Sequence, residues 1–224
     1  MNKLGRIAAI AVLPLLAGCF DASQSIVVAP DGTTTVTMEV AVAPAESILA
    51  MILPPEQLAA IPQEQVDQMV ADMEADRGEA LCAPEEGEVP EGFTATVETF
   101  IRDDGYEVCR ATMVGPISEL GEAIGEEGDT TITFTDEGGG VYFFSFYLPI
   151  PEDADDTGLI DPETDAMIAA ATEGRFITMS ITAPRIIETS GTLEGNTATY
   201  QIPAFALLGA PEEAYEFTVR FALN

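Results

Sequence analysis

Within residues 33–43 apolar and polar side chains alternate from Thr35 to Val40. Val36, Met38, Val40 and Val42 fall on one face of an extended chain, and Thr35, Thr37 and Glu39 on the other. A period of two with a single apolar face marks a half-buried strand. The same pattern returns along the chain: Ile177, Met179 and Ile181 alternate with Thr178, Ser180 and Thr182. Ala198, Tyr200, Ile202 and Ala204 alternate with Thr197, Thr199 and Gln201, and Tyr215, Phe217, Val219, Phe221 and Leu223 share one face of a last strand. A short strand at 26–29 and hairpins at 93–101/106–114 and 130–135/141–148 bring the expected number to nine. Pro30-Asp31-Gly32, Asp103-Asp104-Gly105, residues 136–140 and Leu193–Asn196 supply the turns, each with the glycine that a tight reversal favours. Residues 141–148, VYFFSFYL, are apolar on both faces, which suits the centre of a covered sheet or the lining of a cavity.

Helical signals are fewer. Pro44 ends the long strand, and a short apolar helix around Ile48, Leu49 and Ile52 leads to Pro54-Pro55. Residues 62–77 form the clearest amphipathic helix, with Pro62 at its start and Val66, Met69, Val70 and Met73 at i, i+3, i+4 and i+7. Such a stripe commonly packs into a core; here it also offers a cover for an apolar pocket, since Met adapts to irregular shapes. Met69, Met73, Phe144 and Phe146 are therefore the candidate pocket residues. Residues 166–172 make a third helix, with Asp161 as N-cap, Pro162 in the first turn and Gly174 at the C-terminal end. Together these elements predict an α+β domain, an antiparallel β-sheet with one face covered by about three helices.

The segment 152–165 also invites comparison with a calcium loop. Asp153, Asp155, Gly158 and Asp161 occupy positions 1, 3, 6 and 9 of that spacing. Thr157 and Thr164 stand at positions 5 and 12, so the bidentate carboxylate is missing, and the helix start explains the acids better. No other metal site is expected.

Lys3 and Arg6 precede an apolar run from Ile7 to Leu16, too short to span a bilayer and laid out as a secretory signal peptide. Its ending, Leu16-Ala17-Gly18-Cys19, resembles the lipobox of bacterial lipoproteins. That resemblance implies a diacylglyceryl group on the Cys19 thiol, cleavage before Cys19 and acylation of the new amine by a fatty acid such as palmitate. The chain then divides into a signal peptide, 1–18, and a single envelope domain, 19–224. Acyl chains in this number hold a protein stably at a membrane. Phe20 rather than Asp follows the Cys, and Asp21 comes one place later. By the same resemblance, this leans towards the outer membrane, facing the periplasm, over the inner one.

The full chain carries a formal charge of −31, with 39 acids, 8 Lys and Arg together, and no His. Removing residues 1–18 takes Lys3 and Arg6 but no acid, so the mature domain has Arg as its only cation and is more acidic still. Such a surface repels nucleic acid and anionic headgroups. Calcium or basic proteins remain compatible, and solubility is the plainest use of the charge. Cys82 and Cys109 are an even pair in an exported domain and are expected to form a disulfide. It is worth about 3–4 kcal/mol in the chain-entropy model.

Without His there is no imidazole base, no Ser-His-Asp triad and no His metal ligand. Neither Gly-x-Ser-x-Gly nor a P-loop is present. No enzyme activity and no cofactor are expected. Two segments, CFDASQSIVVAPDGTTTVTMEVAV and ITMSITAPRIIETSGTLEGNTATYQI, resemble the LppM-type lipoproteins of bacterial envelopes. The resemblance implies a sheet-and-helix fold related to lipid-binding proteins, and hence an apolar or lipid ligand. Tyr200 stands where it would suggest Trp, no C-terminal membrane helix follows, and no ligand-binding residue carries over by position. The expected function is that of a non-enzymatic, lipid-anchored envelope protein holding an apolar ligand. The alternative is a structural or assembly lipoprotein with a filled core and a protein partner in the envelope.

Overall fold

The computed structural model describes residues 20–53, 55–80, 89–121, 131–149, 175–204 and 214–224. Their strands form two sheets. The larger contains β1 (Phe20–Val28), β2 (Thr33–Val42), β3 (Thr94–Ile101), β4 (Glu107–Pro116), β7 (Phe176–Thr182), β9 (Thr192–Glu194) and β10 (Thr197–Pro203). Its order is β3-β4-β2-β1-β7-β10-β9. The smaller contains β5 (Thr131–Gly138), β6 (Val141–Leu148), β8 (Arg185–Thr189) and β11 (Tyr215–Ala222), in the order β5-β6-β11-β8. All neighbours are antiparallel except β1 and β7, which run parallel with Ala22 opposite Ile177 and Ile26 opposite Ile181. The expectation of a wholly antiparallel sheet is corrected at that one pair.

Register places the alternating residues on common faces. Ile26 lies opposite Val36 and Ile181, Val36 opposite Met113, and Ile181 opposite Ala198. In the smaller sheet Phe217 lies opposite Phe146, Val219 opposite Phe144 and Phe221 opposite Tyr142. These two apolar faces meet in one core cluster that holds Ile26, Val36, Met179, Ile181, Ala198 and Ile202 together with Tyr142, Phe144, Phe217, Val219 and Phe221. Tyr200 stacks on Phe217 across the layers with ring centres 5.4 Å apart, and Phe144 meets Phe217 edge-on at 6.1 Å. Each aromatic contact of this kind adds about 0.5–1.5 kcal/mol to the burial itself. The apolar face of the large sheet is thus covered chiefly by a second sheet, where three helices were expected.

The helices among the described residues are α1 (Ala45–Ile52), α2 (Pro55–Ala60) and α3 (Gln63–Ala80). They occupy one end of the large sheet. Ile48 of α1 and Met73 of α3 pack on Val40, Val42 and Ala43, with Ala22, Tyr106 and Ile177 beside them. The third helix expected from sequence, 166–172, lies outside the described residues; α2, which had not been expected, stands between the two that had. Two further strands, β8 and β9, have no counterpart among the nine expected. Leu193 and Glu194, expected as a turn, end a short strand that pairs with β10 instead. After β4 the chain makes a 3-10 turn at Ile117–Glu119.

Strand β1 begins at Phe20, well before the expected Ile26. Its first half, FDASQS, has no apolar alternation to announce it. The pairing is supplied from both sides, by β2 along its whole length and by β7 from Ala22 to Val27. Backbone hydrogen bonds on two edges hold a strand whatever its side chains prefer.

Candidate functional site

Pro44 closes β2 and accepts the backbone N–H groups of Ser47 and Ile48 through its carbonyl, which starts α1. Leu53 N–H bonds to the Leu49 carbonyl and stops it, with Leu53 in extended conformation. Pro62 lies just before the first helical residue of α3, its carbonyl accepting from Gln65 and Val66. Along α3, Gln63 and Gln68 donate to Asp67 and Asp72 at 2.8 and 2.7 Å, the i,i+4 spacing that supports an isolated helix.

These turns leave an open groove of about 630 Å³ among α1, α2 and α3. Leu49, Leu58, Val66 and Val70 give it apolar walls, and Glu46, Asp67 and Glu74 stand among its lining residues. Among the described residues, the lining contains three carboxylates and no cation. Apolar walls with a few acids suit a ligand that has an apolar body and a neutral or cationic end.

The four candidate pocket residues are not brought together. Phe144 is 1% exposed in the inter-sheet core, and Phe146 packs against that same core. Met73 belongs to the separate cluster around Val42 and Ile48. Met69 is half-buried on α3. The space between the sheets around Gln24, Ile26, Phe144, Met179 and Phe217 has no room for a water-sized molecule. Of the two settings expected for β6, the centre of a covered sheet and the lining of a cavity, this filled space fits the first, and no pocket lies at Phe144. Strand β6 reads as ordinary alternation: Tyr142 and Phe144 point inward, while Tyr147 is 40% exposed on the outer face. From α3, Val66 and Val70 of the apolar stripe do line a groove, and Leu49, Leu58 and Ala59 join them from helices whose signals in the sequence were only their prolines and short apolar runs.

A polar cluster joins four strands or their ends at the start of β1. Asp21 accepts from Arg102 Nη2 and from Arg175 Nη1, each at 3.0 Å. Arg102 also clasps Asp104 at 2.7 Å, and Arg175 donates to the Tyr106 hydroxyl at 2.7 Å. Both guanidinium groups lie against the Tyr106 ring, at 4.7 and 5.7 Å from its centre. Hydrogen bonding to Arg102 holds the Asp104 carboxyl below its usual range, and the same bonds raise the Arg102 guanidinium further. A second network links Arg110 to Glu39 and Glu98 across β4, β2 and β3. Arg220 is likewise clasped by Glu137, at 2.7 Å through two of its nitrogens.

Cys19, Cys82, Asp153, Asp155 and Asp161 lie outside the described residues. Cys109 sits half-buried on β4 and is not a free thiol. Among the described residues no group of three or more His, Cys, Asp or Glu is placed to hold a metal ion, and no helix is long and apolar enough to cross a membrane.

No protein-family model matches this chain, and no curated protein does. Among solved structures, the NMR structure of the folded domain of the Mycobacterium tuberculosis LppM protein is similar. It aligns with a TM-score of 0.43 and 10% identity over 99% of this chain and 93% of that one.

Proposed function

We propose that this protein is a non-enzymatic bacterial envelope lipoprotein, held at the membrane through acyl groups on Cys19, that binds an apolar ligand in the groove among α1, α2 and α3. The lipobox at residues 16–19 supports the anchor, and the groove of about 630 Å³ walled by Leu49, Leu58, Val66 and Val70 carries the binding reading. Its acids favour a lipid or other amphiphile whose polar end is neutral or cationic. Phe20 after the anchor favours the outer membrane, with the domain in the periplasm, and the acidity of the chain disfavours nucleic acid. No cofactor enters this reading. The Cys109 sulfur is committed to a bond, and we read Cys82 as its partner, which would tie the chain beyond α3 to β4.

Native mass spectrometry of the full chain, extracted gently from cell envelopes, tests the ligand. The wild type should carry an adduct of lipid mass beyond its own acylation, and Val70→Glu should lose it while melting near the wild-type temperature. A bare wild-type mass, or an adduct equally present in Val70→Glu, would refute the groove. In the latter case the second reading gains: an assembly role through a protein partner. The observation favouring that role is β3, an edge strand of the large sheet on which Val97 is 46% exposed. Exposed edges pair readily with another chain.

A further inference from the structure

We infer that the end of the large sheet carrying Ile101, Arg102, Tyr106, Arg175 and Phe176 is the surface that lies on the lipid bilayer, with the sheet standing on end above it. The inference rests on the reading of Cys19 as the acylated residue and adds to it an orientation.

Strand β1 starts at Phe20, the residue bonded directly to Cys19, so no linker separates the anchor from the folded domain. Neighbouring Cα atoms are about 3.8 Å apart. The headgroup layer on one side of a bilayer is roughly 5–7 Å thick. The first residues of β1 are therefore held at headgroup depth, together with whatever else stands at their level. Register identifies that level. Phe20 lies opposite Val42, Val42 opposite Glu107, and Glu107 opposite Ile101. On the other side of β1, Ile177 lies opposite Ala22, which puts Phe176 level with Asp21. With strands about 4.8 Å apart, Ile101 is displaced sideways from the anchored strand by roughly 14 Å, and Phe176 by a single strand.

Both residues are exposed apolar side chains. Ile101 is 77% exposed, the highest value among the described large hydrophobic residues, and Phe176 is 42% exposed. Exposure of this kind is unfavourable in water and favourable at an apolar interface. Between them stand Arg102, Tyr106 and Arg175, long amphipathic side chains of the type that settle at a membrane surface with their polar ends in water. Asp21 holds both arginines in place, one residue from Phe20. Asp103, Asp104 and Glu107 lie at the same end, and the acid-bearing helices α1 and α3 pack beside it on Val42 and Tyr106, so the surface fits a zwitterionic bilayer better than an anionic one. The opposite end of β1 cannot take part: Val27, also 43% exposed, is about 23 Å from Phe20 along the strand.

The chain contains no Trp, so single substitutions report without background. The full-length protein, acylated in a bacterial host, is reconstituted into phosphatidylcholine vesicles that carry a quencher near the headgroups. Ile101→Trp and Phe176→Trp should lose most of their emission, and Val27→Trp should keep it. Amide hydrogen exchange on the unsubstituted protein adds a measure that needs no mutation: vesicles should protect residues 101–106 and 175–176 but not the turn at 29–32. Equal quenching at all three positions, quenching at Val27 alone, or no quenching in a protein whose intact mass shows acylation and which floats with the vesicles would overturn the orientation alone. An unmodified Cys19 in a protein that does not float would overturn both the anchor and the orientation.

Discussion

Thr34 is fully buried on the core face of β2, and its hydroxyl has no hydrogen-bond partner among the described residues. It lies opposite Val28 on one side and Gly115 on the other. A buried, unpaired hydroxyl costs about 1–3 kcal/mol. Thr34→Val keeps the shape and removes the polar atom, so chemical denaturation should show a gain of about 1 kcal/mol. Unchanged or lower stability would mean that the hydroxyl finds a partner. Gly115 shows the opposite constraint. A Cβ there would sit 2.6 Å from the Phe93 ring, which lies flat over the glycine and is 8% exposed. Gly115→Ala must push that ring out of place, at a cost of about 1–3 kcal/mol read as a lower denaturation midpoint. Neither residue stands out in the sequence, where Thr34 is one of a run of threonines and Gly115 one glycine among 19. Their roles come from which residue each one faces.

The start of β1 depends on charge more than on apolar packing. Its first half is polar, yet Asp21 gathers Arg102 from the end of β3 and Arg175 from the start of β7. These side chains are a quarter to two-fifths exposed, so the network contributes only about 0.5–1 kcal/mol. Asp21→Asn should leave global stability nearly unchanged and speed amide exchange at residues 21–23, while the amide of Ile26 stays protected. Equal acceleration along all of β1 would show that the strand opens as one unit and that the cluster has no local role. The helices show how element type was legible when placement was not. The spacing in α3 forecast a helix correctly, but over its full length the helix is only weakly amphipathic, and the stripe divides its work, with Met73 turned to the sheet and Val66 and Val70 to the groove. Only the positions of α1 and α2 decide that division.

At the scale of the whole molecule, self-repulsion sets how stability responds to solution conditions. A formal charge of −31 makes the compact state less favourable at neutral pH and low salt. Raising NaCl shrinks the screening length from about 10 Å at 0.1 M to about 3 Å at 1 M, so the melting temperature should climb with salt. Acid acts in two stages. Asp31, Asp104 and Glu137 have carboxyls held below their usual range, by the Thr33 N–H, by Arg102 and by Arg220 respectively. Their contribution is complete above the unfolded values and is lost as pH falls through the lower folded values, hence below about pH 4. All three are surface groups, so the contribution is small. From neutral pH down to about 5 the relief of repulsion wins and the melting temperature should rise. Below about 4 it should fall. Calorimetry at low salt checks both limbs, and a maximum above pH 7 would contradict this balance.

The sequence by itself determined the period of the strands, the glycine turns and the helix at α3, because each is written in neighbouring residues. It also determined the acidity and the absence of imidazole, which are properties of composition. Only the tertiary structure decided what covers the large sheet. An apolar strand face reads the same whether a helix or another sheet lies on it, and β6 and β11 reach the core from distant parts of the chain. The same long-range pairing drew the largely polar residues 21–25 into β1 and aligned them with β7 from Ala22 on, since backbone hydrogen bonds ignore side-chain polarity. It filled the space around Phe144 and opened a groove among helices instead, because a cavity is a property of how elements meet and no single element carries it.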